Sequence, residues 1–186
     1  MSGPSEGFFE RRVLAPLEEA AGRPLRILEI VVGEEGASRG PRLSVSPGGA
    51  ELERLPFADQ QFELVVFRGS FHLAADYRTT LRETRRVLGW GGRVVILDTP
   101  LYQSYRDGER ARDRRLERGA VPDEALLSMG YLDERMLAEL ASELNLSWRI
   151  HEPWRGLGYW LAPLQAKLAR ARRPVRWKVL VGSWTS

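Results

Sequence analysis

The chain contains no cysteine, which excludes disulfides, thiolate metal sites and cysteine nucleophiles together. Histidine occurs only as His72 and His151, too few for a histidine-rich metal centre, so no metal site is expected. No stretch is long and apolar enough to span a membrane, and Val13 to Ala21 is too short and too charged for a signal peptide. A cytoplasmic location is expected. No acid follows Glu152, whereas seven of the 28 basic residues do, leaving 21 basic against 25 acidic residues before it. The net charge of +3 thus joins a basic tail to a mildly acidic body.

What is present suffices for one core, since 43% of the 186 residues are hydrophobic. A single domain is expected, with an N-terminal helix within 1–24, a sheet core over 25–100 and a C-terminal half over 101–186. The clearest signals lie between Leu55 and Pro100. Phe62 to Phe67 is a short unalternating apolar run, as in a strand buried on both faces. Asp76 is placed to cap a helix in which Tyr77, Leu81, Thr84 and Leu88 share a stripe, and Gly89, Gly91 and Gly92 stop it. A second run, Val94 to Leu97, ends at Asp98. Strand, helix and strand make a parallel unit of an open α/β sheet.

Upstream, residues 6 to 22 predict an amphipathic helix with Phe9, Val13, Leu17 and Ala20 on one stripe and a kink at Pro16. It can serve as a lid over a ligand mouth or pack on the sheet, and general experience favours packing. Leu25 to Val32 predicts a buried strand. A βαβ unit takes about 30 residues; Glu34 to Gln61 is all that separates this strand from the next long one, and it is broken by Gly36, Gly40, Pro41, Pro47, Gly48, Gly49 and Pro56. The first crossover helix and the strand after it are therefore expected to be lost or reduced, with Arg42 to Val45 as a surviving short strand.

Downstream, residues 103 to 119 are densely charged and predict a solvated helix or mobile loop. A helix begins at Asp133 with Leu137, Leu140, Ala141 and Leu144 on one face, and Leu146 to His151 alternates as a strand does. Leu161 to Arg172 predicts a basic helix and Val175 to Val181 a last strand. With five tryptophans between Trp148 and Trp184, the basic segment could meet anionic lipid as a peripheral membrane contact or stack on nucleic acid. A solvated helix on the sheet is the more ordinary use, and nucleic acid is the disfavoured partner.

The order Leu55-Pro56-Phe57, Phe62-Glu63-Leu64-Val65-Val66, His72, Arg86-Val87-Leu88, Gly91-Gly92 and Leu97-Asp98 resembles the class I methyltransferases that use S-adenosylmethionine, in particular the small bacterial type 11 group. Asp98-Thr99-Pro100-Leu101-Tyr102, Gly130-Tyr131-Leu132 and Arg173-Pro174-Val175-Arg176-Trp177 extend the resemblance over most of residues 25 to 186. It implies a Rossmann-like α/β fold, mostly parallel with an antiparallel last strand, here with its first crossover reduced. It implies methyl transfer from S-adenosylmethionine to a small or lipid-linked acceptor. Glu29, Gly33, Glu51, Phe67, Arg68, Gly69 and Ser70 would line the cofactor, Glu51 accepting from the adenine amino group. His72, Asp98 and Tyr102 would face the acceptor, with His72 suited to take a proton near neutral pH. Capping its loop is the more ordinary use of Asp98.

The resemblance also exposes departures. The family's loop has the form acid-x-G-x-G-x-G, and here Val31 and Glu35 replace the outer glycines while Glu34 adds charge near the cofactor carboxylate. The acid that would hold the ribose hydroxyls has no counterpart. Activity is therefore expected to be weak or lost. The alternative is a non-catalytic binding or scaffolding subunit, whose uncovered sheet face would pack on a second copy, on a catalytic methyltransferase or on the folded-back N-terminal helix. Nicotinamide binding would need a comparable glycine loop and ranks below both.

Overall fold

The computed structural model describes residues 4–32, 40–45, 49–117, 128–152 and 176–185. A six-stranded sheet forms its centre, from strands β1 (Ile27–Val32), β2 (Arg42–Val45), β3 (Phe62–Arg68), β4 (Leu88–Leu97), β7 (Leu146–His151) and β9 (Val179–Trp184). They lie in the order β2-β1-β3-β4-β9-β7. β1 pairs in parallel with β2 and β3, and β3 with β4, whereas β9 runs antiparallel to both β4 and β7. The expected mostly parallel sheet with an antiparallel last strand is what forms. A small second sheet sets β5 (Pro100–Tyr102) between β6 (Leu132–Asp133) and β8 (Arg176–Trp177).

Side chains alternate across the main sheet, as the pleat requires. Leu28, Ile30, Val65, Phe67, Val94 and Ile96 face helices α3 (Tyr77–Val87) and α5 (Glu134–Leu144), whose Leu81, Leu137 and Leu140 complete that core. Asp76 caps α3 by accepting from the N–H groups of Arg78 and Thr79, and Asp133 caps α5 by accepting from Met136. The opposite face presents Ile27, Leu64, Val66, Val95 and Leu97 to Phe9, Val13 and Leu14 of the N-terminal segment. That segment is α1 (Pro4–Phe9), a π-helical turn over Glu10–Leu14, and α2 (Ala15–Ala21). The N-terminal helix therefore packs on the sheet, the more ordinary of its two expected uses. The expected stripe is corrected in part: Leu14 is buried and Ala20 exposed, because the wider turn just before Pro16 shifts the buried side by a position.

As expected, β2 is a four-residue strand, and among the described residues it forms the sheet edge. Only nine residues, 33–41, separate it from β1, fewer than the dozen or so a helical crossover takes. Strand bounds differ from expectation in several places: β1 starts at Ile27 rather than Leu25, and β3 reaches Arg68 rather than Phe67. β4 starts at Leu88, immediately after α3, so Leu88 leaves the expected helical stripe and the helix ends ahead of Gly89; the register against β3 shifts between Phe62 and Leu64, and Gly91 inside the strand turns at φ +72°. The last strand, expected over Val175 to Val181, is divided: Arg176–Trp177 forms β8 of the small sheet, and β9 runs from Val179 to Trp184 in the main one. The expected basic helix over 161–172 lies outside the described residues. The charged segment forms helix α4 (Tyr105–Glu117). No helix among the described residues is long and apolar enough to cross a membrane.

Candidate functional site

β1 to β4 all run the same way and so end on one edge, where ligands bind in open α/β sheets. The loop after β3 is fixed there from several sides. Ser70 Oγ donates to the Ile30 carbonyl at 2.7 Å, tying the loop to β1. Gly69 N–H donates to the Leu97 carbonyl at 2.9 Å, tying it to β4, with Gly69 in the left-handed region at φ +61°. A 3-10 turn, Phe71–Leu73, follows and carries His72. The Gly130 N–H donates to the His72 carbonyl at 2.9 Å, the Met129 N–H to the Ala74 carbonyl at 3.1 Å, and Tyr77 Oη to the Tyr131 carbonyl at 2.5 Å. His72 is thereby half-buried between the sheet edge and the segment that leads into β6.

Glu51 reaches the same place from β2. It is half-buried on the 3-10 turn Ala50–Leu52, behind Gly49. Gly49 sits at φ +62°, and a Cβ there would run into the Leu73 carbonyl. The absence of a side chain lets the Glu51 turn press against the His72 loop.

Beyond β4 lie Asp98, exposed at φ +51°, and the aromatic group of β5. Tyr102 meets Tyr131 edge-on at 6.1 Å between ring centroids, and Tyr105 meets Tyr131 at 6.2 Å. Burial, reinforced by Tyr105, Glu109 and Asp133, pushes the Tyr131 phenol well above its ordinary range, so it stays neutral. Tyr105 is raised as well, chiefly by its hydrogen bond to Glu109.

Of the residues expected at the site, Glu51, Gly69, Ser70 and His72 are drawn together by these contacts, and Asp98 and Tyr102 follow on the next strand end. Phe67 points into the core on the α3 side, fully buried and edge-on to Phe71 at 5.1 Å. Glu29 and Arg68 lie on the opposite face. Glu29, 2% exposed, accepts from Arg68 Nη2 at 3.3 Å and Arg42 Nη2 at 3.4 Å. Arg68 Nη1 also donates to Glu6 at 2.9 Å, and its guanidinium lies 5.4 Å over the Phe9 ring. Gly33 lies outside the described residues. Tyr131, Arg42 and Glu6 were not foreseen in these roles. For Tyr131 the Gly130-Tyr131-Leu132 turn was a usable signal, whereas nothing local marks the ion network.

The described residues match S-adenosylmethionine in part. The Glu51 turn against the His72 loop suits an adenine amino group, which donates to a carboxylate. The β1 side does not reproduce the acid-and-glycine cradle: both Glu29 oxygens are engaged by arginines, and Val31 carries a buried branched side chain where the family has glycine. No group of three or more acids or histidines among the described residues could hold a metal.

Residues 33–96 match the type 11 family described as "Methyltransferase domain". Among curated proteins, the chain is 34% identical over 90 residues to a demethylmenaquinone methyltransferase of Bacillus velezensis, covering 45% of this chain and 39% of that one. The chain spans well under half the length of the curated relatives it matches first. Among solved structures, the YcgJ protein of Bacillus subtilis aligns with a TM-score of 0.56 at 15% identity, over 93% of this chain and 98% of that one. A chain from the Haloferax volcanii complex that contains the Trm112 methyltransferase activator aligns with a TM-score of 0.56 at 16% identity, over 100% of this chain and 95% of that one. Through β3, α3 and β4 the chain is thus similar in sequence to the type 11 methyltransferase domain, and it shares the α/β fold of these solved structures.

Proposed function

We propose that the chain binds S-adenosylmethionine weakly at the edge formed by the Glu51 turn and the His72 loop, and methylates a small or lipid-linked acceptor slowly. The observation that carries this reading is the pinned loop Gly69 to His72, held to β1 by Ser70, to β4 by Gly69 and to the Gly130 segment through the His72 carbonyl. A site fixed in advance spends little binding energy on ordering itself, and positioning accounts for most of the acceleration in a transfer whose methyl donor is already activated. His72 is the group placed to take a proton from a hydroxyl or amine acceptor; Asp98 and Tyr102 bound the acceptor side. The demethylmenaquinone methyltransferases among the relatives support the lipid-linked class of acceptor. The altered β1 side supports a weak or lost activity.

A second reading is favoured by β2. This four-residue strand lies at the sheet edge among the described residues, so it offers backbone groups to a partner chain. A non-catalytic subunit paired with a catalytic methyltransferase, or with a second copy, would use it. The aligned chain from a complex with an activator is consistent with that.

Isothermal titration with S-adenosylmethionine and S-adenosylhomocysteine, repeated on Glu51→Ala, separates the two. Micromolar binding that the substitution weakens about tenfold, the loss of one charged hydrogen bond, supports the enzyme. No heat at millimolar ligand from demonstrably folded protein removes it and leaves the subunit.

A further inference from the structure

A cavity of about 590 Å³ opens at the amino edge of the sheet, the end away from the site above. Its size is that of a small-molecule site, and its walls are unusual. Arg82, Arg85 and Arg86 reach it from the last turns of α3, Arg93 and Trp90 from the start of β4, and Trp184 from the end of β9. Arg86 is committed: it binds Glu83 at 2.8 Å and Asp59 at 2.7 Å, and these contacts raise its pKa further. Arg82, Arg85 and Arg93 have no ion pair within 4 Å among the described residues. Glu143, whose charge Arg82 feels, is itself held by Arg78.

Three guanidinium groups that face one cavity without an ion pair among the described residues repel one another unless an anion joins them. Basic residues in the last turn of a helix offset the helix dipole, which accounts for Arg85; it does not account for Arg82, a turn earlier, or for Arg93, which is on a strand. Trp90 is 90% exposed, set between glycines, with Gly91 turned at φ +72°. A flat, exposed indole beside planar guanidinium groups is a stacking platform for an aromatic ring that carries phosphates.

We propose that this cavity binds a nucleoside phosphate, with Arg85, Arg93 and Arg82 on the phosphates and Trp90 stacked on the base. The site is separate from the methyl-transfer edge and does not depend on that function.

The test is titration calorimetry of the intact protein at low salt with uridine triphosphate, which lacks the adenine that the other edge would recognise. The expected result is submillimolar binding that weakens as salt rises. The double substitution Arg85→Ala and Arg93→Ala should weaken it about tenfold or more, and Trp90→Ala about tenfold, in line with the loss of one base stack. Inorganic tripolyphosphate should lose affinity in the arginine variant and keep it in Trp90→Ala. All three side chains lie at the surface or the cavity wall, and circular dichroism checks that the variants are folded. A uridine oligonucleotide that binds more tightly, with the same dependence on both variants, would identify the source as a strand rather than a free nucleotide. The proposal is overturned if uridine triphosphate gives no heat at millimolar concentration, or if Trp90→Ala leaves its affinity unchanged. It is also overturned if the protein ignores the nucleotide and instead sediments with phosphatidylglycerol vesicles through Trp90.

Discussion

Arg68 on β3 reaches back across the sheet to Glu29 on β1, Nη2 to Oε1 at 3.3 Å, and joins it to Glu6 and Arg42 in a neutral quartet. In the usual methyltransferase arrangement the β1 acid belongs to the cofactor edge; here its charge is spent on two arginines beneath the sheet. The N-terminal helix lies beside this quartet through Phe9, so the face left by the reduced crossover is closed by the chain's own first residues. That is the folded-back helix among the expected occupants.

Arg68→Met keeps the aliphatic stem and removes the charge. Glu29 would then keep only Arg42 as a partner in its buried position, and the lost charged hydrogen bond costs about 1.5–3 kcal/mol. Urea unfolding should show that loss, and the double variant Glu29→Gln, Arg68→Met should recover part of it.

A second ion pair sets a pH dependence. Glu63 is gripped by Arg23 through two hydrogen bonds of 2.6 and 2.9 Å and accepts a third from the Arg26 N–H at 3.0 Å. These contacts, Arg23 first, hold its carboxyl down at about 2. A carboxylate whose pKa is lower in the folded state stabilises the fold above its unfolded value, and the contribution fades as pH falls from about 4.5 toward 2. Because Arg23 is largely exposed, solvent screening reduces the effect to about 1 kcal/mol. Stability measured by urea between pH 6 and pH 2.5 should therefore fall less steeply in Glu63→Gln than in the unaltered chain.

The unit from β3 to β4 was legible because its signals are local. Asp76 stands where a cap must stand, Tyr77, Leu81 and Thr84 repeat at helical spacing, and the two apolar runs are too short for helices. The scarcity of residues between β1 and β3, read against what a βαβ unit needs, also foretold the short β2. The ion network was not legible, since Glu6, Glu29, Arg42 and Arg68 come from four separate segments and ordinary surface charge looks the same in sequence. Nor was the early start of β4. Glycine at 89, 91 and 92 argues against a strand, and the pairing that starts β4 early is made by Leu88, opposite Phe62, with the ladder to β3 resuming at Arg93. At the site, Glu51 and His72 were named from resemblance, but the contact that joins their loops runs through Gly49, a residue that reads only as a turn former.

Ser70 tests the pinned loop directly. Its hydroxyl is fully buried and donates to the Ile30 carbonyl. Ser70→Ala leaves that carbonyl without its donor and should cost about 1–2 kcal/mol. Hydrogen exchange should rise first in Gly69 to Ala74, while α5 and β7 keep their protection.

Gly49→Ala asks whether the contact between the two loops matters for binding as well as for stability. The added Cβ has nowhere to go, since the Leu73 carbonyl is backbone and the residue's φ of +62° disfavours any side chain. Relief requires the Glu51 turn to withdraw from the His72 loop, at a cost of about 1–3 kcal/mol. If the proposed cofactor edge is used, affinity for S-adenosylhomocysteine should fall at least as far in Gly49→Ala as in Glu51→Ala, because the first substitution displaces the carboxylate that the second removes. Should Gly49→Ala lose stability but bind S-adenosylhomocysteine as the unaltered chain does, the ligand does not touch this edge, and the Glu51 turn is a structural brace for the His72 loop.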